Sequence, residues 1–110
     1  MDILFASTKL EKTFNSQKKL LREYGEQAKK IQLRMAVLRA APTLAHVPVA
    51  KPDRLHELYG DRKGCFAVDL KHPYRLIFES ADLPVPRKSD GGIRKDQVVS
   101  IRILTVEDYH

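Results

Sequence analysis

The sequence predicts an α+β fold, in which an N-terminal helical hairpin packs on one face of an antiparallel sheet of about five strands. Three observations predict it. Between Cys65 and Glu79 the apolar residues alternate: Phe66, Val68 and Leu70 interleave with Cys65, Ala67 and Asp69, and Tyr74, Leu76 and Phe78 with Arg75, Ile77 and Glu79. That is the two-residue period of half-buried strands. Between Ala28 and Leu38, by contrast, Ala28, Ile31, Met35 and Leu38 recur at spacings of three, four and three, one stripe of a helix. Glycines and prolines then divide the chain into the order β-α-α-β-β-β-β.

Ile3-Leu4-Phe5 is a short apolar run and reads as the first strand. Ser7 or Thr8 caps the helix that follows, and Thr8 with Glu11 forms a capping-box pattern. Leu10, Phe14, Leu20, Leu21 and Tyr24 supply its apolar positions, and Asn15-Ser16 weakens its middle. Gly25 suits a helix C-terminus in the left-handed conformation. One long helix through Gly25 would cost only about 1 kcal/mol, but a hairpin is preferred, with a second helix from about Glu26 to Ala41, stopped by Pro42. Lys29, Lys30, Arg34 and Arg39 lie mostly off its apolar stripe. Pro42, Pro48 and Pro52 make residues 42–53 an extended connector. A three-stranded meander follows from Leu55 to Phe78. Its first turn, Gly60 to Gly64, has a glycine at each end, where positive φ costs least. Its second, Lys71-His72-Pro73, contains a proline that fits a turn better than a central strand. Residues 80–97, with Pro84, Pro86, Gly91 and Gly92, form a long hairpin loop, of a length that in a small domain often signals function or mobility. The last strand runs from Val98 to about Glu107.

The chain of 110 residues is expected to be a single domain, residues 1–110, able to bury roughly 65% of its unfolded surface. The lone Cys65 excludes an internal disulfide and fits a reduced, cytoplasmic setting. The N-terminus lacks the basic-then-apolar pattern of a signal peptide. No apolar run approaches the roughly 20 residues of a membrane span, so no membrane partner is expected. The formal net charge of +6 is uneven. Residues 1–50 hold nine Lys and Arg against four Asp and Glu, and residues 51–110 hold eleven against ten. The basic N-terminal half suits nucleic acid or an acidic protein, and equally a solvated helix face. No helix-turn-helix is evident after the paired helices, which argues against direct operator reading.

The chemistry-bearing residues are few. In an extended C-terminal strand Asp108 and His110 point the same way and Tyr109 the other. A carboxylate beside the His110 imidazole favours its charged form and poises it for proton exchange, unless the terminus is simply frayed. His56 shares a face with Leu58 and reads equally as a half-buried structural histidine. His46 and His72 fall in loops without a partner pattern. Arg75, on the face opposite Tyr74 and Leu76, is either salt-bridged, with Asp69 across the hairpin as the partner, or aimed at an anion, because an arginine in mid-strand is costly to bury unpaired. Arg62 and Lys63 lie in a tight turn and are most simply solvated. No phosphate-cradling glycine loop, metal-ligand cluster or serine elbow appears, so neither metal nor cofactor is expected. A set of His, Asp, Tyr and Arg suits phosphodiester cleavage in RNA: a base for the 2′-hydroxyl proton, an acid for the leaving oxygen, and an arginine for the charge-rich transition state.

Taken together, the segment Leu55-His56-Glu57-Leu58-Tyr59-Gly60-Asp61-Arg62-Lys63-Gly64, the strand Tyr74 to Phe78 and the terminal Glu107-Asp108-Tyr109-His110 resemble the plasmid-maintenance system killer family, the HigB-like branch of the RelE/ParE toxin superfamily. The helical hairpin and the loop Pro84 to Ile93, with Asp90-Gly91-Gly92, look like a longer subgroup whose members are sometimes labelled killer suppression protein. The resemblance covers nearly the whole chain. It implies a toxin of a type II toxin–antitoxin system that cleaves mRNA in the ribosomal A site. The implied partner is a helix-turn-helix antitoxin, through which the pair binds its operator DNA. It carries active-site roles onto His56, Arg75, Asp108, Tyr109 and His110. Lys29, Lys30, Arg62 and Lys63 become the candidate RNA contacts. One position departs from the pattern: Tyr59 stands where HigB-like enzymes often carry a lysine, so Lys63 or Arg62 would have to supply that phosphate contact. The alternatives are a non-enzymatic, ParE-like toxin that poisons gyrase, and an inactive killer-suppression partner.

Overall fold

The computed structural model describes residues 1–108. The chain begins with strand β1 (Asp2–Phe5), passes through helices α1 (Thr8–Phe14), α2 (Gln17–Tyr24) and α3 (Ala28–Ala40), and then forms strands β2 (His56–Glu57), β3 (Cys65–Asp69), β4 (Tyr74–Ser80) and β5 (Ser100–Asp108). The first of the two expected helices is therefore two. The break falls at Asn15-Ser16, where short polar side chains compete for backbone hydrogen bonds. Ser16 caps α2, its Oγ accepting from the Lys19 amide at 3.2 Å. Gly25 ends α2 with φ 54° but ψ −126°, so its φ is positive as expected while its ψ lies outside the left-handed helical region. A single 3₁₀ turn, Gly25–Gln27, then leads into α3.

Of the two capping candidates, Ser7 is the one used: its Oγ accepts from the Leu10 amide at 3.1 Å, and Thr8 is already helical. Ser7→Ala is expected to cost about 1 kcal/mol and Thr8→Ala much less, in chemical denaturation of the two variants side by side. Equal losses would show that the cap is not made at Ser7.

The five strands lie in the order β1-β5-β4-β3-β2. β2 to β5 form the expected antiparallel meander. β1 joins β5 in parallel, Ile3 opposite Ile101 and Phe5 opposite Ile103, so the sheet is mixed. A hairpin partner's direction is dictated by its tight turn, but β1 is followed by helices and carries no such signal.

The helices cover one sheet face. Ala28, Ile31, Met35 and Leu38, the stripe expected of α3, are buried against Leu20, Phe66, Leu76, Phe78, Ile101 and Ile103. Phe14 bridges Phe5 and Tyr24 through edge-to-face contacts at 5.6 and 5.9 Å, which fastens α1 and α2 to the end of β1. Residues 81–99 are folded as a small hairpin of their own. Arg87 pairs with Ile93, the Lys88 amide donates to the Gly92 carbonyl at 2.7 Å, and Gly91 turns the chain at φ 91°. Ile93 and Val98 anchor this segment in the core.

One cation departs from the expected solvated helix face. Arg34 is buried on α3, its Nε donating to the Asp69 carbonyl at 2.6 Å and its Nη2 to the Pro52 carbonyl at 3.2 Å. It stands 3.7 Å from the Asp53 carboxylate, which is itself buried. Among the described residues no helix is long and apolar enough to cross a membrane.

Candidate active site

The sheet face away from the helices carries the candidate site. Register and alternation place Cys65, Ala67 and Asp69 of β3, Arg75, Ile77 and Glu79 of β4, and Thr105 and Glu107 of β5 on it. His56 joins them opposite Ala67. Leu58, Cys65, Ala67 and Ile77 form a small apolar patch there with Leu104. Leu104 is the extra residue of a bulge between the Ile77–Thr105 and Phe78–Ile103 pairs. The patch desolvates the middle of the face and leaves the charged groups beside it in a lower-dielectric setting than open water.

Those charged groups alternate in sign. Asp69, Arg75 and Glu107 lie in one cross-strand row. Arg54 clasps the Asp69 carboxylate with two hydrogen bonds, Nε to Oδ2 at 2.6 Å and Nη2 to Oδ1 at 3.0 Å. Arg75 Nη2 stands 3.5 Å from Glu107 Oε1, and Arg62 Nη2 donates to Glu107 Oε2 at 2.6 Å. Asp69 does lie opposite Arg75, as the hairpin reading anticipated, and among the described residues Arg75 makes an ion pair with Glu107 on its other side. Arg62, read as solvated, is tied to the sheet by the same carboxylate, because the Gly60–Arg62 turn folds back over the end of β5. Among the described residues three guanidinium groups and two carboxylates thus converge at one end of the face. Its guanidinium groups are rigid, planar donors, of the kind that can hold a phosphodiester.

His56 is half-buried, its Nδ1 2.8 Å from the Arg54 carbonyl oxygen. Two strand spacings and one two-residue step separate it from Arg75, roughly 12 Å between the backbones by standard sheet dimensions. Asp108 falls opposite Tyr74, which by alternation belongs to the helix-side face, so its strand position does not join Arg75 and Glu107. Tyr109 and His110 lie outside the described residues. Lys29 and Lys30 are on α3, across the sheet from His56 and Arg75. Lys63 is exposed and lines a groove of about 530 Å³ between the Gly60–Gly64 turn and the 87–93 hairpin, together with Glu57, Arg87 and Asp90. Tyr59 is exposed at the same turn. His46, read as a loop residue without a partner pattern, shares a 2.8 Å hydrogen bond with Thr43.

Arg54, Arg62 and Glu107 are the members of this cluster whose places no local pattern announced. The one sequence signal available was the charge row itself: Asp69 and Arg75 sit symmetrically about the Lys71-His72-Pro73 turn, which makes them cross-strand neighbours.

Cys65 is not a nucleophile candidate. Burial pushes its thiol up from the ordinary range, and the nearby Glu79 and Glu107 add to this against the opposing pull of Arg62. The thiol is therefore protonated at neutral pH. A disulfide reagent is expected to modify native protein at pH 7 at least about tenfold more slowly than unfolded protein. Equal rates would show an accessible thiolate.

No protein-family model matches the chain, and no curated protein matches it. Among solved structures it is similar to a protein described as a YoeB/ParE toxin from Agrobacterium tumefaciens, with a TM-score of 0.55 over 100% of both chains at 12% identity. The architecture is thus that of the RelE/ParE-like toxin fold: a five-stranded mixed sheet with helices on one face. At 12% identity this is a likeness of fold.

Proposed function

We propose that this protein is the toxin of a type II toxin–antitoxin pair and that it cleaves mRNA on the ribosome. The observation that carries the reading is the placement of Arg75 and His56 on one sheet face, with the guanidinium held beside Glu107 and the two backbones roughly 12 Å apart by standard sheet dimensions. In this reading the 2′-hydroxyl of the bound message attacks the adjacent phosphorus. His56 takes the hydroxyl proton, Arg75 stabilises the charge gathering on the phosphoryl oxygens, and His110 protonates the departing 5′-oxygen, a role that requires the chain beyond Asp108 to leave the strand alternation that would otherwise set His110 with Asp108 on the helix side. Asp108 orients or pairs with a histidine, and Tyr109 contacts the substrate. The products are a cyclic 2′,3′-phosphate and a 5′-hydroxyl, and no bond in the step requires a metal.

Arg62, Lys63, Lys29 and Lys30 hold RNA through phosphate contacts, which makes ribosome binding steeply salt-dependent. Their positions on two sides of the sheet suit a ribosomal cleft that meets the protein on more than one face. A helix-turn-helix antitoxin neutralises the toxin and carries it to operator DNA. The HigB-like branch is the member of the superfamily that this set of residues suits.

The test is controlled expression in bacteria of the native chain and of His110→Ala, followed by primer extension on a translated message. Cuts within codons are expected, and they disappear both in the variant and when translation of that message is blocked. Growth arrest with intact message and halted DNA replication would overturn this reading in favour of a ParE-like gyrase poison. The absence of arrest would favour an inactive killer-suppression partner.

A further inference from the structure

We propose that Arg54 is a positioning residue: its left-handed backbone presents its carbonyl oxygen to Nδ1 of His56 and so fixes that ring in the Nδ1–H form, with Nε2 as its proton acceptor. The catalytic consequence rests on the nuclease reading; the tautomer does not.

The argument begins with the backbone. Among the described residues Arg54 is the one non-glycine with positive φ, at 48°. A residue with a Cβ adopts this conformation only when its surroundings over-determine it. Here they do. The Arg54 amide donates to the Ala50 carbonyl at 2.9 Å, and the Leu55 amide to the Pro48 carbonyl at 2.9 Å. On one side Asp53 is buried beside Arg34, and its carbonyl accepts from the Asp69 amide at 2.8 Å. On the other side Leu55 is buried in the core. The Arg54 guanidinium is clasped by the Asp69 carboxylate, the same residue whose amide and carbonyl hold Asp53 and Arg34. Residues 53–55 are thus pinned from α3, from β3 and from the core at once.

The ring follows from the backbone. His56 Nδ1 lies 2.8 Å from the Arg54 carbonyl oxygen. A carbonyl oxygen has no hydrogen to give, so the hydrogen of this bond belongs to Nδ1. In the neutral imidazole the lone pair is then on Nε2. Histidine in water prefers the opposite tautomer, so the contact reverses the intrinsic choice. It also fixes the ring plane, since the acceptor is only two residues away on a rigid segment. In the cleavage step Nε2 accepts the 2′-hydroxyl hydrogen while the 2′-oxygen–phosphorus bond forms. The phosphorus–5′-oxygen bond breaks, and a separate acid protonates the 5′-oxygen. A ring in the Nε2–H form would offer its lone pair to the protein interior instead and would have to turn over before it acted as a base.

The test is long-range ¹H–¹⁵N correlation spectroscopy on the full chain with ¹⁵N-histidine, recorded where the imidazoles are neutral, with His56→Ala to assign the ring. The expected spectrum has Nδ1 at the protonated position and Nε2 at the unprotonated one. Arg54→Gly, which accepts positive φ, is expected to keep this pattern, and Arg54→Val, which disfavours it, to move the ring toward Nε2–H. In message cleavage Arg54→Val should lower kcat at least about tenfold below Arg54→Gly, with KM changed less. An Nε2–H ring or an even mixture in the native protein overturns the proposal. So does loss of the pattern in Arg54→Gly, a result that stands even if the valine variant does not fold. Equal kcat in the two variants at unequal tautomer would overturn the catalytic role alone and count against His56 as the base. Absence of cleavage by the native chain defeats the nuclease reading and leaves the spectroscopic result to decide the tautomer by itself.

Discussion

Arg34→Ala is expected to destabilise the protein by about 3–5 kcal/mol, the cost of leaving a buried charge without its partner. Arg34 and Asp53 have side chains only 6% and 10% exposed, and the Oδ1 of Asp53 accepts no hydrogen bond among the described residues. Removing the guanidinium deprives that carboxylate of its nearest cation. It also removes the donors to the Asp69 and Pro52 carbonyls. Against the 5–15 kcal/mol that hold a domain of this size folded, such a loss should lower the melting temperature by more than about 10 °C. The companion variant Arg34→Met with Asp53→Leu is expected to regain most of the loss, because neither charge then remains to be buried. A fall below about 1 kcal/mol in Arg34→Ala would mean that water reaches Asp53 and that the pair is a surface one in energetic terms. The variant has a second, local effect. It loosens the segment that carries Arg54, so the His56 tautomer should become mixed at temperatures where the fold still holds.

Arg75→Gln is expected to lower the rate of message cleavage by about 10²–10³-fold, the usual effect of removing one preorganised donor from a charge-developing oxygen. Its effect on folding should be small. The guanidinium is mostly buried, 18% exposed, but its partner Glu107 is 31% exposed and retains Arg62, so the loss is about 1 kcal/mol or less after allowance for solvent. The separation of the two effects is what makes the variant informative: circular dichroism and melting should match the native chain while toxicity and cleavage are lost. A variant that remains fully toxic would remove Arg75 from the reaction and leave it as one rung of the Asp69–Arg75–Glu107 ladder. Arg75→Lys is expected to fall between, since an ammonium supplies the charge but not the planar pair of donors.

The site was partly legible because strands expose their logic at short range. Period-two alternation alone sets Arg75 apart from Tyr74 and Leu76, and the proline turn at 71–73 brings Asp69 opposite it. His56 and Leu58 share a face for the same reason, and Leu58 does lie in the apolar patch beside the site. The helix stripe from Ala28 to Leu38 was legible by the same kind of local rule. The split of the first helix at Asn15-Ser16 was visible as a weakness, and capping chemistry at Ser16 turned it into a break.

What the sequence by itself determined is therefore the order of the strands, the face that the residues of β3 and β4 take and the turn residues between them. Those depend on neighbours two to four positions away. Only the tertiary structure decided which charges meet. Arg54 reaches the Asp69 carboxylate across 15 positions and Arg62 reaches Glu107 across 45, while Arg34 reaches the Asp69 backbone carbonyl across 35. Nor does any local pattern state that β1 runs parallel to β5, or that one cation of a lysine- and arginine-rich helix turns inward. An ion pair is chosen by the position of its partner in the finished fold. Periodicity reports which side of an element a residue occupies and contains no information about what stands opposite it until the chain has closed.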